Sequence, residues 1–347
     1  MAKTPEFVER VVTSTRIRLA RNLAGYPFPE KLTETLAEEI LFLIEKGLSA
    51  LDVFERQDLS TLSKEQLTLL QEQHLISPAL IRKKMVAEAF LSADRNVSIM
   101  VNEEDHLREQ YICAGFDLYK AYERISALDD GLGAQLNFAY DNRLGYLTAC
   151  PSNVGTGMRA SVMMFLPGLA RTNGLKAFLP TLKQNGLTVR GMFGEGTAAE
   201  GYSYQISNER TLGQSEMEIL DEMTRVTMQL CDLELKAREQ MLKENAVALK
   251  DEAYRAFGIL TNCAILPMDE LTADMVKVKL GIMLGFFKTK NIRHFNEFLS
   301  EMQPATFRLE NDLRGASEYE CDLIRAEVMH KVLPELVVRA DEKLKSR

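Results

Sequence analysis

Four short stretches hold the residues whose types and spacing suit them to chemistry. Cys150-Pro151-Ser152-Asn153-Val154-Gly155-Thr156-Gly157-Met158-Arg159-Ala160-Ser161 joins a cysteine, a hydroxyl, two glycines and an arginine. Thr13-Ser14-Thr15-Arg16-Ile17-Arg18-Leu19-Ala20-Arg21-Asn22 sets three arginines within six residues. Asn102-Glu103-Glu104-Asp105-His106-Leu107-Arg108 sets four ionisable side chains in a row before an arginine. Leu187-Thr188-Val189-Arg190-Gly191 runs on to Gly194-Glu195-Gly196. A guanidinium is a planar fork that matches phosphate oxygens two at a time. Arginines gathered beside carboxylates therefore suit phosphoryl transfer, which needs positioning and neutralisation of spread negative charge. The plainer alternative is a set of solvated or structural arginines. Cys150 likewise reads either as a thiolate beside a cation, with a hydrogen bond from Ser152, or as a small buried filler.

These stretches must be brought together by the elements around them. Gly145 to Ala149 and Val162 to Leu166 read as strands on either side of the glycine loop. Val97 to Val101 reads as a buried strand running into the carboxylates. Leu187 to Phe193 and Tyr202 to Asn208 read as two more. Asp105 suits the cap of a helix carrying Arg108 and Tyr111. Residues 1–12 read as a polar lead, and Arg21 as peripheral. Thr33 to Leu48 has a helical apolar period. Ser63 and Ser215 each open a capping box, the second starting a long amphipathic helix. From Lys243 onward the texture is helical, in Leu271 to Phe287, Ile292 to Met302 and Glu318 to Val338. The reading is α+β, a mostly antiparallel sheet flanked by helices over 1–243, then a helical domain over 244–347.

The whole chain narrows the function class. It has 347 residues, 46% of them apolar, enough for a sizeable core. A net charge of -8 opposes attraction of the whole protein to nucleic acid or anionic membrane. Five scattered cysteines without a C-x-x-C fit a reducing compartment rather than a disulfide or zinc framework. The first residues do not read as a signal peptide, and no run is long enough to span a membrane. A cytoplasmic protein is expected. No P-loop, dinucleotide fingerprint or zinc constellation is present, so no protein-held metal is expected.

Together, S-T-R-I-R-x-x-R-N, N-E-E-D-H-x-R, C-P-S-N-V-G-T-G-x-R-A-S and V-R-G-x-x-G-E-G resemble the motifs of the ATP:guanidino phosphotransferases, and most those of their bacterial protein-arginine kinase branch. The short stretch before Ser14 resembles that branch, which lacks the helical amino-terminal domain of free-metabolite kinases. So does Tyr254 to Cys263, which opens its dimerisation domain. The resemblance implies an ATP site lined by Ser14, Thr15, Arg16, Ile17, Arg18, His74, Arg108, Arg159, Ala160, Ser161, Val162, Met163, Arg190, Gly191, Met192, Phe193, Gly194 and Glu195. It implies that Glu104 and Glu195 hold the substrate guanidinium, with Cys150 beside it. Magnesium would be held through the nucleotide phosphates. The partners implied are protein substrates with accessible arginines, a second copy of the chain, an activator protein and a Clp-type chaperone or protease that removes marked proteins.

Elementary chemistry agrees with these roles. A guanidinium has a pKa of ~13, so deprotonating it at pH 7 costs about 8 kcal/mol. Proton removal must therefore accompany attack on the γ-phosphorus, and a glutamate at hydrogen-bond distance can take the proton. Either Glu104 or Glu195 can be that base. The other readings are a kinase for free arginine or another small guanidino compound, and a non-catalytic adaptor that binds phosphoarginine proteins. Protein-arginine kinases also carry R-D-x-x-R-A, a regulatory phosphoarginine site. Here the stretch is Cys321-Asp322-Leu323-Ile324-Arg325-Ala326. Asp322 and Arg325 remain, while cysteine replaces the first arginine, which implies weak regulation that Cys321→Arg would strengthen. The plainer reading is a helix that only packs.

Overall fold

A computed structural model of the chain describes residues 6–83, 86–191 and 201–341. Its centre is an eight-stranded sheet in the order β2-β3-β4-β5-β1-β8-β10-β9. The strands are β1 (Val12–Arg21), β2 (Phe54–Asp58), β3 (Glu88–Ser92), β4 (Val97–Val101), β5 (Leu107–Ala114), β8 (Met158–Phe165), β9 (Leu187–Gly191) and β10 (Ser203–Asn208). Every neighbouring pair is antiparallel. The intervening β6 (Tyr140–Asp141) and β7 (Gly145–Tyr146) form a separate small ribbon.

Side chains alternate across a strand, so each face of the sheet reads every second residue. Ile17 and Leu19 of β1, Ala160, Val162 and Met164 of β8, and Ile206 of β10 share the apolar face. Helices cover it: α1 (Glu6–Val11), α2 (Glu34–Ser49), α5 (Leu118–Gly133), α6 (Pro167–Arg171), α7 (Gly174–Gln184) and the first part of α8 (Glu216–Leu260). The short α3 (Lys64–Glu72) and α4 (Pro78–Ile81) build a small apolar cluster with Ala89, Leu91 and Met100 at one end of the opposite face. Ser63 and Ser215 both close capping boxes.

Helix α8 runs through the expected domain boundary without a loop. Its one non-helical residue is Asn245, at φ -141° and ψ 29°. Beyond this kink, α8 joins α9 (Met268–Met283), α10 (Ile292–Glu301), α11 (Pro304–Glu310) and α12 (Glu318–Leu336) around a second apolar cluster. A two-stranded ribbon, β11 (Phe287–Thr289) with β12 (Val337–Arg339), closes it.

Four local expectations are corrected. Leu107–Ala114 is a strand, because its backbone is paired on both sides by β4 and β1. Asp105 therefore caps no helix there, and its carboxylate turns to Asn22 and Ala149 instead. The polar lead is partly core: residues Glu6–Val11 are helical, with Val8 and Val11 buried. Of the apolar run from Gly145 to Ala149, only Gly145–Tyr146 is a strand, since Leu147 and Ala149 bond to neighbouring loops. Arg21 is not peripheral; it is among the most deeply buried side chains.

Candidate active site

The register of the sheet gathers the expected arginines on one face. Arg16 and Arg18 are two apart on β1 and point the same way. Arg18 lies directly opposite Arg159 on β8 and Gln110 on β5, while Arg16 lies opposite Ser161. Arg108, two residues before Gln110, shares their face, as do Ser14 and Met163. Across β10, Arg190 pairs with Gln205, which pairs with Met163, so Arg190 belongs to the same face. Odd-numbered Thr15 and Ile17, with Ala160 and Val162, point into the core. Thr15 there accepts the Asp117 amide and donates to the Gly115 carbonyl. Gly191 ends β9, while Met192, Phe193, Gly194 and Glu195 lie outside the described residues.

Electrostatics set this face apart. Burial first, then the charges of Arg159 and Arg108, lower the Arg16 guanidinium to about 10. Arg18 is held well below its usual range by burial and then by Arg16, Arg108 and Arg159. Arg159 is lowered by burial and by Arg190. Among the described residues, Arg18 Nε and Arg159 Nε are buried donors with no acceptor. Leaving such donors unpaired is costly, and grouping like charges adds to the cost. A polyanion would relieve both. His74 stands with positive φ at the end of α3. Its ring is held below the usual imidazole range by loss of hydration and by Arg16.

At the end of the sheet, Arg108 joins this array to the carboxylates. It donates to Glu103 at 2.7 Å and to Glu104 at 3.1 Å. Glu103 is buried and also accepts from Ser77 Oγ at 2.6 Å and from the Glu104 amide at 3.0 Å. Glu104 is 42% exposed and has only Arg108 as a salt-bridge partner among the described residues. The sequence marks Glu103 and Glu104 together as candidate chemistry, and the structure makes Glu103 the buried anchor of Glu104. Asp105 links this turn to the glycine loop. Its Oδ1 accepts Asn22 Nδ2 at 2.6 Å and the Ala149 amide at 2.7 Å.

Cys150 follows Ala149 and is half-buried, its sulfur 3.1 Å from Ser152 Oγ. Thr211 donates to the carbonyls of Ser152 and Val154, at 2.9 and 2.7 Å, and so fixes the curve of the loop. Gly155 has φ +118°, and a Cβ there would meet the Thr211 carbonyl oxygen at 2.2 Å, so glycine is required. The expected regulatory pair lies elsewhere, on α12. Arg325 there is buried, bonded to Leu266 O at 2.8 Å and Asp322 at 2.5 Å, and Cys321 is buried beside it. Among the described residues, no group of three His, Cys, Asp or Glu could hold a metal ion, and no helix is long and apolar enough to cross a membrane.

Comparison with known proteins gives the same direction. The model of the ATP:guanido phosphotransferase C-terminal catalytic domain matches residues 37–237. The model of the protein-arginine kinase McsB C-terminal domain matches residues 246–344. A protein-arginine kinase of Symbiobacterium thermophilum is 40% identical over 334 residues, 91% of this chain and 92% of that protein. One from Pelotomaculum thermopropionicum is 38% identical, with 94% of each chain covered. Among solved structures, a lombricine kinase superposes with a TM-score of 0.60 at 29% identity, covering 68% of each chain. The duplicated taurocyamine kinase of Schistosoma mansoni, with bound transition state analog components, gives 0.62 at 26% identity, over 76% of this chain and 40% of that one. The chain belongs to the ATP:guanido phosphotransferase family.

Proposed function

We propose that this enzyme transfers the γ-phosphate of ATP to the guanidinium of arginine residues in proteins. The carrying observation is the convergence of Arg16, Arg18, Arg108, Arg159 and Arg190 on one sheet face that ends at Glu104 and the Cys150 loop. Identity of 38–40% over nine-tenths of the chain with proteins named protein-arginine kinase supports protein arginine as the acceptor.

In this reading the arginines hold the triphosphate and neutralise the charge spread over the transferring group. Glu104 and Glu195 hold the acceptor guanidinium and orient its attacking nitrogen. The terminal O–P bond of ATP breaks as the N–P bond forms. The proton leaves the attacking nitrogen for a glutamate, and ADP carries away the electron pair. Glu103 and Arg108 keep Glu104 in place. Cys150, bonded to Ser152, faces the guanidinium.

Magnesium fits this site through the nucleotide, since an arginine face repels a bare dication and attracts phosphates that can carry one. When bound, the ion supplies further neutralisation of phosphate charge. Catalytic residues 1–243 and helical residues 244–347 form two functional parts in a cytoplasmic homodimer. An activator protein and a Clp-type chaperone or protease are its expected partners.

The test is incubation with ATP and either a denatured arginine-rich protein or free arginine, followed by detection of phosphoarginine. Phosphoarginine in the protein is expected. Product from free arginine alone would move the function to a small-metabolite kinase, and product from neither would leave only a binding role.

A further inference from the structure

A buried charged cluster lies on the side of the sheet away from the arginine array. Arg21 is 2% exposed, and its odd position on β1 turns it from Arg16 and Arg18 toward α5. Its guanidinium grips both oxygens of Asp129, at 2.7 to 3.1 Å. The remaining nitrogen donates to the carbonyls of Thr156, at 3.0 Å, and Ala20, at 2.9 Å. Its plane covers the Tyr146 ring at 3.6 Å.

Both outer contacts belong to the glycine loop or its partner. Tyr146 exchanges backbone hydrogen bonds with Gly155, at 2.8 and 3.3 Å. Thr156 and Gly157 lead directly into β8 and Arg159. Gly157 has φ +63°, and a Cβ there would stand 2.5 Å from the Arg21 nitrogen, so the loop closes on the guanidinium without a side chain between.

Glu109, two residues from Arg21 in the register of β5 with β1, completes the cluster. It is fully buried, and neither of its oxygens meets an N–H or O–H donor among the described residues. The charged groups that act on it are Asp129, Arg21 and Asp130. Asp129 already accepts three bonds from Arg21. A buried carboxyl that meets no donor is costly to leave charged, and a proton on Glu109 would let it donate to a neighbouring carboxylate. Burial, then the Asp129 charge, hold Glu109 well above the usual carboxyl range, in agreement.

We propose that Arg21, Asp129 and Glu109 form a buried positioning unit that fixes the glycine loop carrying Cys150 and leading into Arg159. None of the three reaches the arginine face. They act through the loop backbone, and only the turnover arm of the test rests on the kinase reading.

The test uses the full-length chain and Asp129→Asn, Glu109→Gln and Glu109→Leu. Hydrogen exchange by mass spectrometry on peptides spanning 144–157 reads the loop, with β4 as the internal reference. In Asp129→Asn, loop exchange should rise about tenfold while β4 is unchanged, as in a local opening. Turnover should fall roughly 10- to 100-fold with KM for ATP nearly constant, the pattern of a misplaced group. Glu109→Gln still offers Asp129 a donor and should stay close to wild type, whereas Glu109→Leu should behave like Asp129→Asn. Should Asp129→Asn fail to fold, Arg21→Lys serves instead, since a lysine cannot grip Asp129 and reach Thr156 together. Wild-type loop exchange in the folded variant overturns the proposal, as does a Glu109→Gln as defective as Glu109→Leu. A wild-type protein that makes no phosphoarginine would overturn the kinase reading and leave the exchange result standing.

Discussion

Asp105 Oδ1 accepts the Ala149 amide at 2.7 Å, so the residue after Glu104 is bonded to the residue before Cys150. One carboxylate thereby sets the spacing of two candidate catalytic groups that are far apart in sequence. The same oxygen holds Asn22 at 2.6 Å, next to Arg21 on β1. Asp105→Ala would leave the Ala149 amide and the Asn22 side chain without this acceptor, at a cost of about 1–3 kcal/mol. Turnover should fall at least about tenfold through lost orientation. Asp105→Asn keeps an accepting oxygen and should retain most of both. Denaturant melts with turnover assays decide this, and equal losses in both variants would refute a hydrogen-bonding role.

The arginine face predicts a conflict between stability and binding. Arg18 and Arg159 are directly opposite on neighbouring strands, where like charges destabilise. Arg18→Met should stabilise the nucleotide-free protein by roughly 0.5–1 kcal/mol while weakening ATP binding. ATP should raise the wild-type melting temperature more than that of the variant. A variant less stable without ATP and equally stabilised by it would mean that the array serves folding.

The helices and most strands were legible in the sequence because their signals are local. Capping boxes at Ser63 and Ser215 are short-range hydrogen bonds, and both formed. The arginine face follows from strand parity once β1 is recognised, since Arg16 and Arg18 differ by two and Arg21 by an odd number. That parity was the available signal against a peripheral Arg21. The strand at Leu107–Ala114 was less accessible, because partners on both sides decide it, and Glu109 and Gln110 give little local preference. Glu103 stands in the candidate carboxylate stretch, but its anchoring role was not legible because it depends on Ser77, 26 residues away in sequence. Of the two expected catalytic glutamates, the fold positions Glu104, while Glu195 lies outside the described residues.

Adjacent Glu103 and Glu104 should separate cleanly on substitution. Glu104 is partly exposed and paired only with Arg108 among the described residues, so Glu104→Gln should leave stability near wild type and lower turnover about 100-fold, the scale of lost acid–base help. Glu103 is buried and bonded to Arg108, Ser77 and the Glu104 amide. Glu103→Gln should cost about 1.5–3 kcal/mol, the scale of a charged hydrogen bond. Thermal melts and initial rates would show the split, and a reversed pattern would exchange the two roles.

Lys279 should make the stability depend on pH. Its ammonium is buried on α9 above the Phe165 ring at 4.6 Å. Burial first, then the charge of Arg238, bring it down to about 7. Between pH 7 and the ordinary lysine range, the unfolded chain binds this proton and the folded one does not. Stability should therefore rise with pH through that window, by at most about 1.4 kcal/mol per unit, and lose this gain as pH falls toward 7. Lys279→Met should flatten the slope and stabilise the protein at pH 7. Chemical denaturation at pH 7, 8 and 9 measures it, and an unchanged slope in the variant would exclude Lys279 as its source.

The helix α12 stretch predicts a regulatory site largely consumed by packing. Arg325 donates to Leu266 O and Asp322 and lies over the Phe307 ring at 5.2 Å, with almost no exposed surface. A guanidinium engaged in this way cannot also grip a phosphoryl group without giving up bonds that hold α12 to the segment before α9. Cys321 is equally buried and offers neither charge nor a fork of donors. An arginine at that position would have to bury a charge or displace the helix, which argues against the expectation that Cys321→Arg strengthens activation. Free phosphoarginine should therefore change activity little in wild type and in Cys321→Arg. Arg325→Ala should destabilise the fold by about 3 kcal/mol, because Asp322 loses its partner and Leu266 O loses its donor. Activity titrated against phosphoarginine, alongside melts of both variants, tests this. Strong wild-type activation that Arg325→Ala abolishes without loss of stability would show that Arg325 is a ligand-binding group and not a structural one.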